Sequence, residues 1–139
     1  CHSGGPTPPP TCTGCHAPID GFRAGSLPAA QRALGELDIT ADSMLGIVDC
    51  SGCHDLSRPQ TLETISESCL MCHEPSYAEM PSQWREQLGA RIEALEGRLD
   101  EEGRRALEAL ERAGPQHNPE AARTLLNRLE DRAGRAGAP

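Results

Sequence analysis

The sequence predicts a mainly α-helical protein with much irregular loop, and three observations support this fold class. Apolar residues in the C-terminal part recur at helical spacing. No strand-like alternation surrounds the cysteine pairs of the N-terminal part. The chain of 139 residues is 37% hydrophobic and 2% aromatic, so residues 1–80 have little apolar material for a core of their own. We therefore expect one small domain with terminal tails.

The two ends of the chain are expected to be poorly ordered. Residues 1–11 form a flexible tether rich in proline and glycine, because such sequences favour coil and polyproline conformations. Residues 134–139 are expected to fray as a C-terminal tail. Between these ends lie a cysteine-bearing region, residues 12–80, and a helical region, residues 81–133.

The cysteine-bearing region contains one motif three times. Each copy has two cysteines separated by two residues and followed directly by a histidine. The copies are Cys12-Thr13-Gly14-Cys15-His16, Cys50-Ser51-Gly52-Cys53-His54 and Cys69-Leu70-Met71-Cys72-His73. Two thiols at this spacing can add to the two vinyl groups of one porphyrin, and the histidine then lies under the iron as its proximal ligand. The repeats predict three covalently bound haem c groups, with His16, His54 and His73 as iron ligands.

Three other uses of paired cysteines fit the pattern less well. A tetrahedral zinc site needs no histidine after every pair, and three pairs would leave one pair over. A thioredoxin-like disulfide requires one pair beside a βαβ pattern. A structural disulfide between cysteines this close would close too short a loop to stabilise the chain much.

The haem groups are expected to form the core of residues 12–80. Short helices are predicted over residues 29–37, after Leu27-Pro28, and over residues 41–49, with Thr40 as N-cap. Because only fourteen residues separate His54 from Cys69, we expect the second and third haems to lie close together. The placement of the first haem is less restricted.

The helical region is predicted to form a helical hairpin or a three-helix end piece. Pro81 suits a first helical turn, and the apolar residues that follow, at positions 84, 88, 92, 95 and 99, have helical spacing. Asp100, followed by two glutamates, indicates the start of a second helix that ends at Gly114-Pro115. Asn118 is the predicted N-cap of a last helix, with Pro119 at its first position.

His117 lies in the loop before this last helix, where its ring can project from a fixed backbone. A single helix from residue 82 to residue 113 would be about 45 Å long and would carry His117 far from the third haem. A turn near Asp100 would bring the chain back. We therefore expect a turn there, with His117 returned to the haem cluster as a candidate iron ligand.

The C-terminal part resembles that of the cytochrome c nitrite reductase and octahaem cytochrome superfamily. The resemblance covers roughly residues 50–133 and includes the last cysteine motif, Glu74-Pro75-Ser76-Tyr77, Trp84 and the segment from Gly114 to Pro119. It implies a multihaem c-type cytochrome in which His117 is the distal ligand of one haem. It does not imply catalysis, since the chain lacks the lysine ligand typical of nitrite reductases, and Tyr77 stands in no motif like that of the cross-linked tyrosine in hydroxylamine-oxidising relatives.

Three irons need three sixth ligands if the protein only carries electrons. His117 is the first candidate. Met44 is the second, because a thioether raises a haem potential relative to a second histidine, although an ordinary core methionine is equally compatible with the sequence. His2 and Met80 are further candidates, whereas Met71 lies inside the third motif and is not expected to reach across its own porphyrin.

The sequence thus predicts an electron carrier and not an enzyme, acting between a membrane-associated partner, such as a membrane complex or another cytochrome, and another redox protein. The alternatives are a small reductase with an open haem and an electron-input subunit docked on a larger respiratory or photosynthetic complex. The net charge of −8 argues against nucleic acid and favours a partner with a positive docking patch. Haem c is attached outside the cytoplasmic membrane, so a periplasmic or other extracytoplasmic location is expected.

Cys1 is the seventh cysteine and lies outside the three motifs. Followed by its Gly/Pro-rich tether, it resembles the start of a mature bacterial lipoprotein, which predicts that acyl chains on Cys1 anchor the protein to the membrane. Alternatively, Cys1-His2 is the end of a fourth haem motif cut upstream, and a fourth haem would then be bound.

Overall fold

The computed structural model describes residues 12–136. The predictions for Cys1, His2, the tether and the end of the tail therefore fall outside the described residues. Within residues 12–136 the chain is mainly helical and has no strand, which confirms the predicted mainly α fold class.

The part of the chain that the structure describes has eight α-helices and two short 3-10 helices. The α-helices are α1 (Cys12–Cys15), α2 (Ala17–Arg23), α3 (Pro28–Leu34), α4 (Cys50–Cys53), α5 (Leu62–Cys69), α6 (Met80–Leu95), α7 (Glu101–Ala113) and α8 (Pro119–Ala136). The 3-10 helices are Pro75–Glu79 and Pro115–His117. None of the helices in this range is both long and apolar enough to cross a membrane.

The predicted helix over residues 41–49 is wrong, although the one predicted over residues 29–37 is present as α3. Residues 43–48 form turns instead. The Asp42 carboxylate accepts a hydrogen bond from the backbone N–H of Met44 at 3.0 Å, which competes with the helical hydrogen bonds. Gly46 then adopts a φ of 80°, outside the helical region. Thr40 caps no helix, and its carbonyl accepts from the side chain of Asn118.

The chain changes direction between α6 and α7. Gly97 has a φ of 72°, and Asp100 caps α7 by accepting from the N–H of Gly103 at 2.9 Å. The predicted helix start at Asp100 is therefore confirmed. Arg132 of α8 donates to both carboxylate oxygens of Asp100, at 2.6 Å from Nη2 to Oδ2 and 2.8 Å from Nε to Oδ1, so that the last helix is tied to this turn.

One apolar core joins the C-terminal helices to the first part of the chain. Leu88, Leu95, Leu110 and Leu125 are almost completely buried in it. Phe22 of α2 belongs to the same cluster, as do Leu27, Ala30 and Leu37 in and around α3. Both α2 and α3 pack against α7. This packing of α2 and α3 differs from the prediction that residues 12–80 bury little besides haem.

The segment from residue 38 to residue 80 is different, because none of its residues is buried. The large apolar side chains that are exposed in residues 12–136 all lie within this segment. They are Leu45, Ile47, Leu56, Leu70, Met71 and Tyr77, and Ile47 is 82% exposed. This apolar surface flanks, or lies within, the second and third cysteine motifs.

Candidate functional site

The three cysteine motifs share one backbone turn. In each, the N–H of the histidine donates to the carbonyl of the first cysteine, at 2.8 Å for His16, 2.9 Å for His54 and 2.9 Å for His73. This turn brings both thiols and the imidazole of a motif into one compact unit. Among the cysteines, Cys12, Cys50, Cys53, Cys69 and Cys72 carry free thiols, the form that can add to a vinyl group.

The second motif lies between the first and the third. Burial raises the pKa of the Cys50 thiol, and the adjacent Cys12 thiol raises it further by its charge and by a hydrogen bond. Burial and the neighbouring Cys69 likewise raise the pKa of Cys53. The Ser68 hydroxyl donates to the carbonyl of Cys53 at 3.2 Å. The second and third motifs are thus adjacent, as their short spacing suggests, and the first motif also contacts the second.

The turn of the second motif is held by its own residues. Asp49 is the N-cap of α4 and accepts from the Gly52 N–H at 3.1 Å and from the Ser51 hydroxyl at 2.6 Å. These two hydrogen bonds lower the pKa of the Asp49 carboxyl. A Cβ atom at Gly52 would clash with Cγ2 of Val48, so a larger residue here would require the Val48 side chain to move.

The structure brings His117 to the second motif. The ring centroids of His54 and His117 are 6.1 Å apart, and their planes are tilted by 32°. Two imidazoles that bind one metal ion from opposite sides have centroids about 6 Å apart, because the metal–nitrogen bond is about 2 Å and each centroid lies about 1 Å behind its nitrogen. His54 and His117 are therefore close enough that both would be able to hold the iron of one haem.

In both rings, Nδ1 is the nitrogen that lies within hydrogen-bond distance of an oxygen. The Nδ1 atom of His117 lies 3.1 Å from the carbonyl oxygen of Gly114, and Nδ1 of His54 lies 3.0 Å from Oε1 of Gln60. Because a carbonyl oxygen can only accept, each Nδ1 carries the proton and donates it. The lone pair of the neutral ring is then on Nε2, which is the arrangement of a metal-binding histidine.

Burial favours the neutral form of His117. It lowers the pKa of the imidazole, and the charge of His54 lowers it further, whereas the hydrogen bond to Gly114 acts in the opposite direction. Only the neutral ring can bind a metal through Nε2.

Gly114 provides the place for the His117 ring. It has a φ of 69°, and a Cβ atom there would lie 2.5 Å from Nδ1 of His117. The glycine therefore ends α7 and also leaves room for the imidazole. Sequence reasoning identified the helix end but not the contact with the ring.

Asn118 fixes the other side of the His117 loop. Its Oδ1 accepts from the N–H of Ala121 at 3.1 Å, which confirms the predicted N-cap of α8. Its Nδ2 donates to the carbonyls of Phe22, at 3.1 Å, and Thr40, at 2.9 Å. The side chain is only 1% exposed, so these hydrogen bonds connect the loop to α2 within the core.

Arg23 is a cation beside the second motif that sequence reasoning missed. The half-buried side chain donates from Nη2 to the carbonyl of Val48 at 3.1 Å. Burial raises the pKa of Cys53, and the positive charge of Arg23 acts in the opposite direction. Burial lowers the pKa of His117, and the charge of Arg23 lowers it further. No sequence pattern marks this arginine, because the packing of α2 against the rest of the chain places it here.

The other two motif histidines have different surroundings. Tyr77 stacks on His73, with ring centroids 4.3 Å apart and planes tilted by 16°. His16 is exposed, with no ring partner among residues 12–136. Met44 lies half-buried in the turns of residues 43–48 and not on the helix that was predicted over residues 41–49. Met80 is the first residue of α6.

The described residues are compatible with covalent haem at the three motifs. No three side chains of His, Cys, Asp or Glu within residues 12–136 converge to hold a metal ion between them. The thiols are instead spread over three separate turns, and the exposed apolar side chains between residues 45 and 77 lie next to two of them. A large flat apolar group with one metal ion suits these features.

Comparison of the chain with protein-family models, with curated proteins and with solved structures finds no match.

Proposed function

We propose that the protein is an electron carrier with three covalently bound haem c groups. The thiol pairs Cys12 and Cys15, Cys50 and Cys53, and Cys69 and Cys72 would each hold one haem. The bound haem would supply the one-electron redox change of its iron, and the polypeptide would supply ligands, burial and spacing. The observation that carries the proposal is the pairing of His54 with His117 at 6.1 Å.

This pairing favours electron transfer over catalysis at the second motif. Two histidines that bind the same iron from opposite sides leave no position for a substrate. Both rings are held by hydrogen bonds to carbonyl oxygens, and Gly114 and Asn118 fix the loop that carries His117. Ligands that stay in place in both oxidation states suit a centre that only gains and loses an electron.

The distribution of buried residues supports haem as the core of the cysteine-bearing region. Residues 38–80 bury no side chain, although they contain six large apolar side chains that are exposed. Covering such side chains with porphyrin is favourable by about 25 cal/mol for each Å² of apolar surface removed from water. In the proposed architecture, α6, α7 and α8 form a helical end piece that shares its apolar core with α2 and α3 and holds His117 against the second haem.

The proposed partners are redox proteins, one of them associated with a membrane. A net charge of −8 favours encounter with a positively charged docking patch. Because haem c is attached outside the cytoplasmic membrane, we propose an extracytoplasmic location.

The proposed ligation can be tested by electron paramagnetic resonance of the oxidised haem-loaded protein. The His117→Ala variant should convert one low-spin iron to high spin and leave the other two unchanged. Gln116→Ala is the matched control, because Gln116 is exposed and adjacent in the same loop. Spectra of His117→Ala that match those of Gln116→Ala would show that His117 binds no iron and would remove the main support for the proposal.

A further inference from the structure

We propose that Gln60 is a positioning residue that fixes the ring orientation of His54 and, if the proposed haem ligation is correct, sets the reduction potential of the second haem. Gln60 lies six residues beyond His54, in a segment with no recognisable motif. Its Oε1 lies 3.0 Å from Nδ1 of His54.

The orientation of the Gln60 amide is determined by two further hydrogen bonds. Its Nε2 donates to the carbonyl of Asp55 at 2.5 Å and to the carbonyl of Arg58 at 2.9 Å. Rotation of the amide by half a turn would face Oε1 towards these two carbonyl acceptors, so both hydrogen bonds would be lost. Oε1 therefore faces His54 and accepts a hydrogen bond from its Nδ1–H.

The loop that supplies these carbonyls is itself braced. The Asp55 carboxylate accepts from the N–H of Ser57 at 2.9 Å and from its hydroxyl at 2.6 Å. The Thr64 hydroxyl donates to the carbonyl of Pro59 at 2.7 Å, and Arg58 pairs with Glu67 at 2.5 Å. Gln60 thus connects His54 to a loop that is anchored to α5.

The chemical nature of the acceptor decides how strongly His54 donates electrons. A neutral amide oxygen accepts a weak hydrogen bond from Nδ1–H. A carboxylate at the same place would accept a stronger one and make the imidazole a stronger electron donor to the iron. A stronger donor stabilises the oxidised iron and lowers the potential. An aliphatic side chain would remove this acceptor, weaken the donor and raise the potential.

The three motif histidines have different surroundings. Gln60 accepts from His54, Tyr77 stacks on His73, and His16 has neither kind of contact within residues 12–136. Because the three motifs are otherwise alike, such neighbours can separate the potentials of the three haems. A change at Gln60 should therefore affect one haem only.

The test is a redox titration of the haem-loaded protein that follows all three midpoint potentials in Gln60→Glu and Gln60→Leu. We expect one potential to fall in the first variant and the same one to rise in the second. The two variants should differ by at least about 59 mV, which is a tenfold change in a one-electron equilibrium. Gln116→Glu is the matched control, because Gln116 is exposed next to His117 and the new charge would not be bonded to His54.

The two possible failures differ. If Gln60→Glu shifts the potentials no more than Gln116→Glu, and Gln60→Leu does not shift them, then Gln60 does not position His54, and the electron-carrier proposal is unaffected. If the purified protein contains no covalent haem, both proposals are wrong.

Discussion

Replacing Asn118 by alanine should destabilise the protein and loosen His117 at the same time. The side chain caps α8 through the N–H of Ala121 and donates to the carbonyls of Phe22 and Thr40, and it is 1% exposed. Loss of an N-cap costs about 1 kcal/mol. Loss of a hydrogen bond costs about 1 kcal/mol, and a carbonyl left buried without a partner costs up to about 3 kcal/mol. We expect Asn118→Ala to lower the free energy of unfolding by about 3 kcal/mol.

The assay is urea unfolding of the haem-loaded protein, followed by circular dichroism and by the haem absorbance. Asn118→Ser separates the two contributions, because a serine hydroxyl can still cap α8 but cannot reach both carbonyls. The free energy of unfolding of Asn118→Ser should fall by about 2 kcal/mol, since this variant keeps the cap but loses the hydrogen bonds to the two carbonyls. In Asn118→Ala, part of the low-spin haem signal should also become high-spin, since the adjacent His117 is less firmly held.

A loss below about 1 kcal/mol in Asn118→Ala would refute this reasoning, because the cap alone should cost that much. Equal losses in the alanine and serine variants would show that the cap does not contribute. An unchanged spin state despite the loss of stability would show that Asn118 does not position His117.

Three further predictions concern the His117 loop, the charge beside the second motif and the N-cap of α7. In Gly114→Ala, the new Cβ would lie 2.5 Å from Nδ1 of His117, so the ring should move and one haem should become high-spin by electron paramagnetic resonance. In Arg23→Gln, the loss of a positive charge beside the second motif should lower one midpoint potential in a redox titration. The hydrogen bond from Arg132 and that from the Gly103 N–H lower the pKa of Asp100 from its ordinary value of 3.8, so this stabilisation is complete above pH 3.8 and is lost as the pH falls through the lower pKa of the folded protein. Asp100→Asn, which keeps a capping side chain, should reduce that loss in acid unfolding curves.

Each of these three predictions has a matched control. Gly89→Ala is the control for Gly114, because nothing lies within 4 Å of a Cβ at that exposed position of α6. Arg85→Gln removes an exposed charge from α6 and should leave the potentials unchanged. Asp131→Asn removes an exposed carboxyl from α8. If a variant behaves like its control, the corresponding contact has no effect.

Local signals in the sequence identified those parts of the fold that depend on neighbouring residues. Asp100 and Asn118 both cap helices, as their positions before acidic residues or proline indicate. The predicted helix over residues 41–49 failed for an equally local reason, because the Asp42 side chain competes for backbone N–H groups and Gly46 leaves the helical region. Helix propensity alone does not include such competition.

The candidate site was only partly predictable, because much of it depends on contacts between distant residues. The sequence predicted that His117 is an iron ligand but not which motif it approaches. Its contact with His54 joins residues that are 63 positions apart. Neither Arg23 nor Gln60 stands in a motif, so only their positions in the folded chain connect them with the second motif. The core position of Phe22 likewise depends on how α2 packs against α7.

The most direct test of the central claim is the mass of the purified polypeptide and of its tryptic peptides. Trypsin cleaves after Arg23, Arg32 and Arg85 but not between Arg58 and Pro59, so the first motif falls in one peptide and the second and third motifs fall together in another, residues 33–85. Covalent haem at every motif predicts one haem increment on the peptide ending at Arg23 and two on the peptide of residues 33–85. Peptides that carry no haem increment, with their cysteines as free thiols, would contradict it.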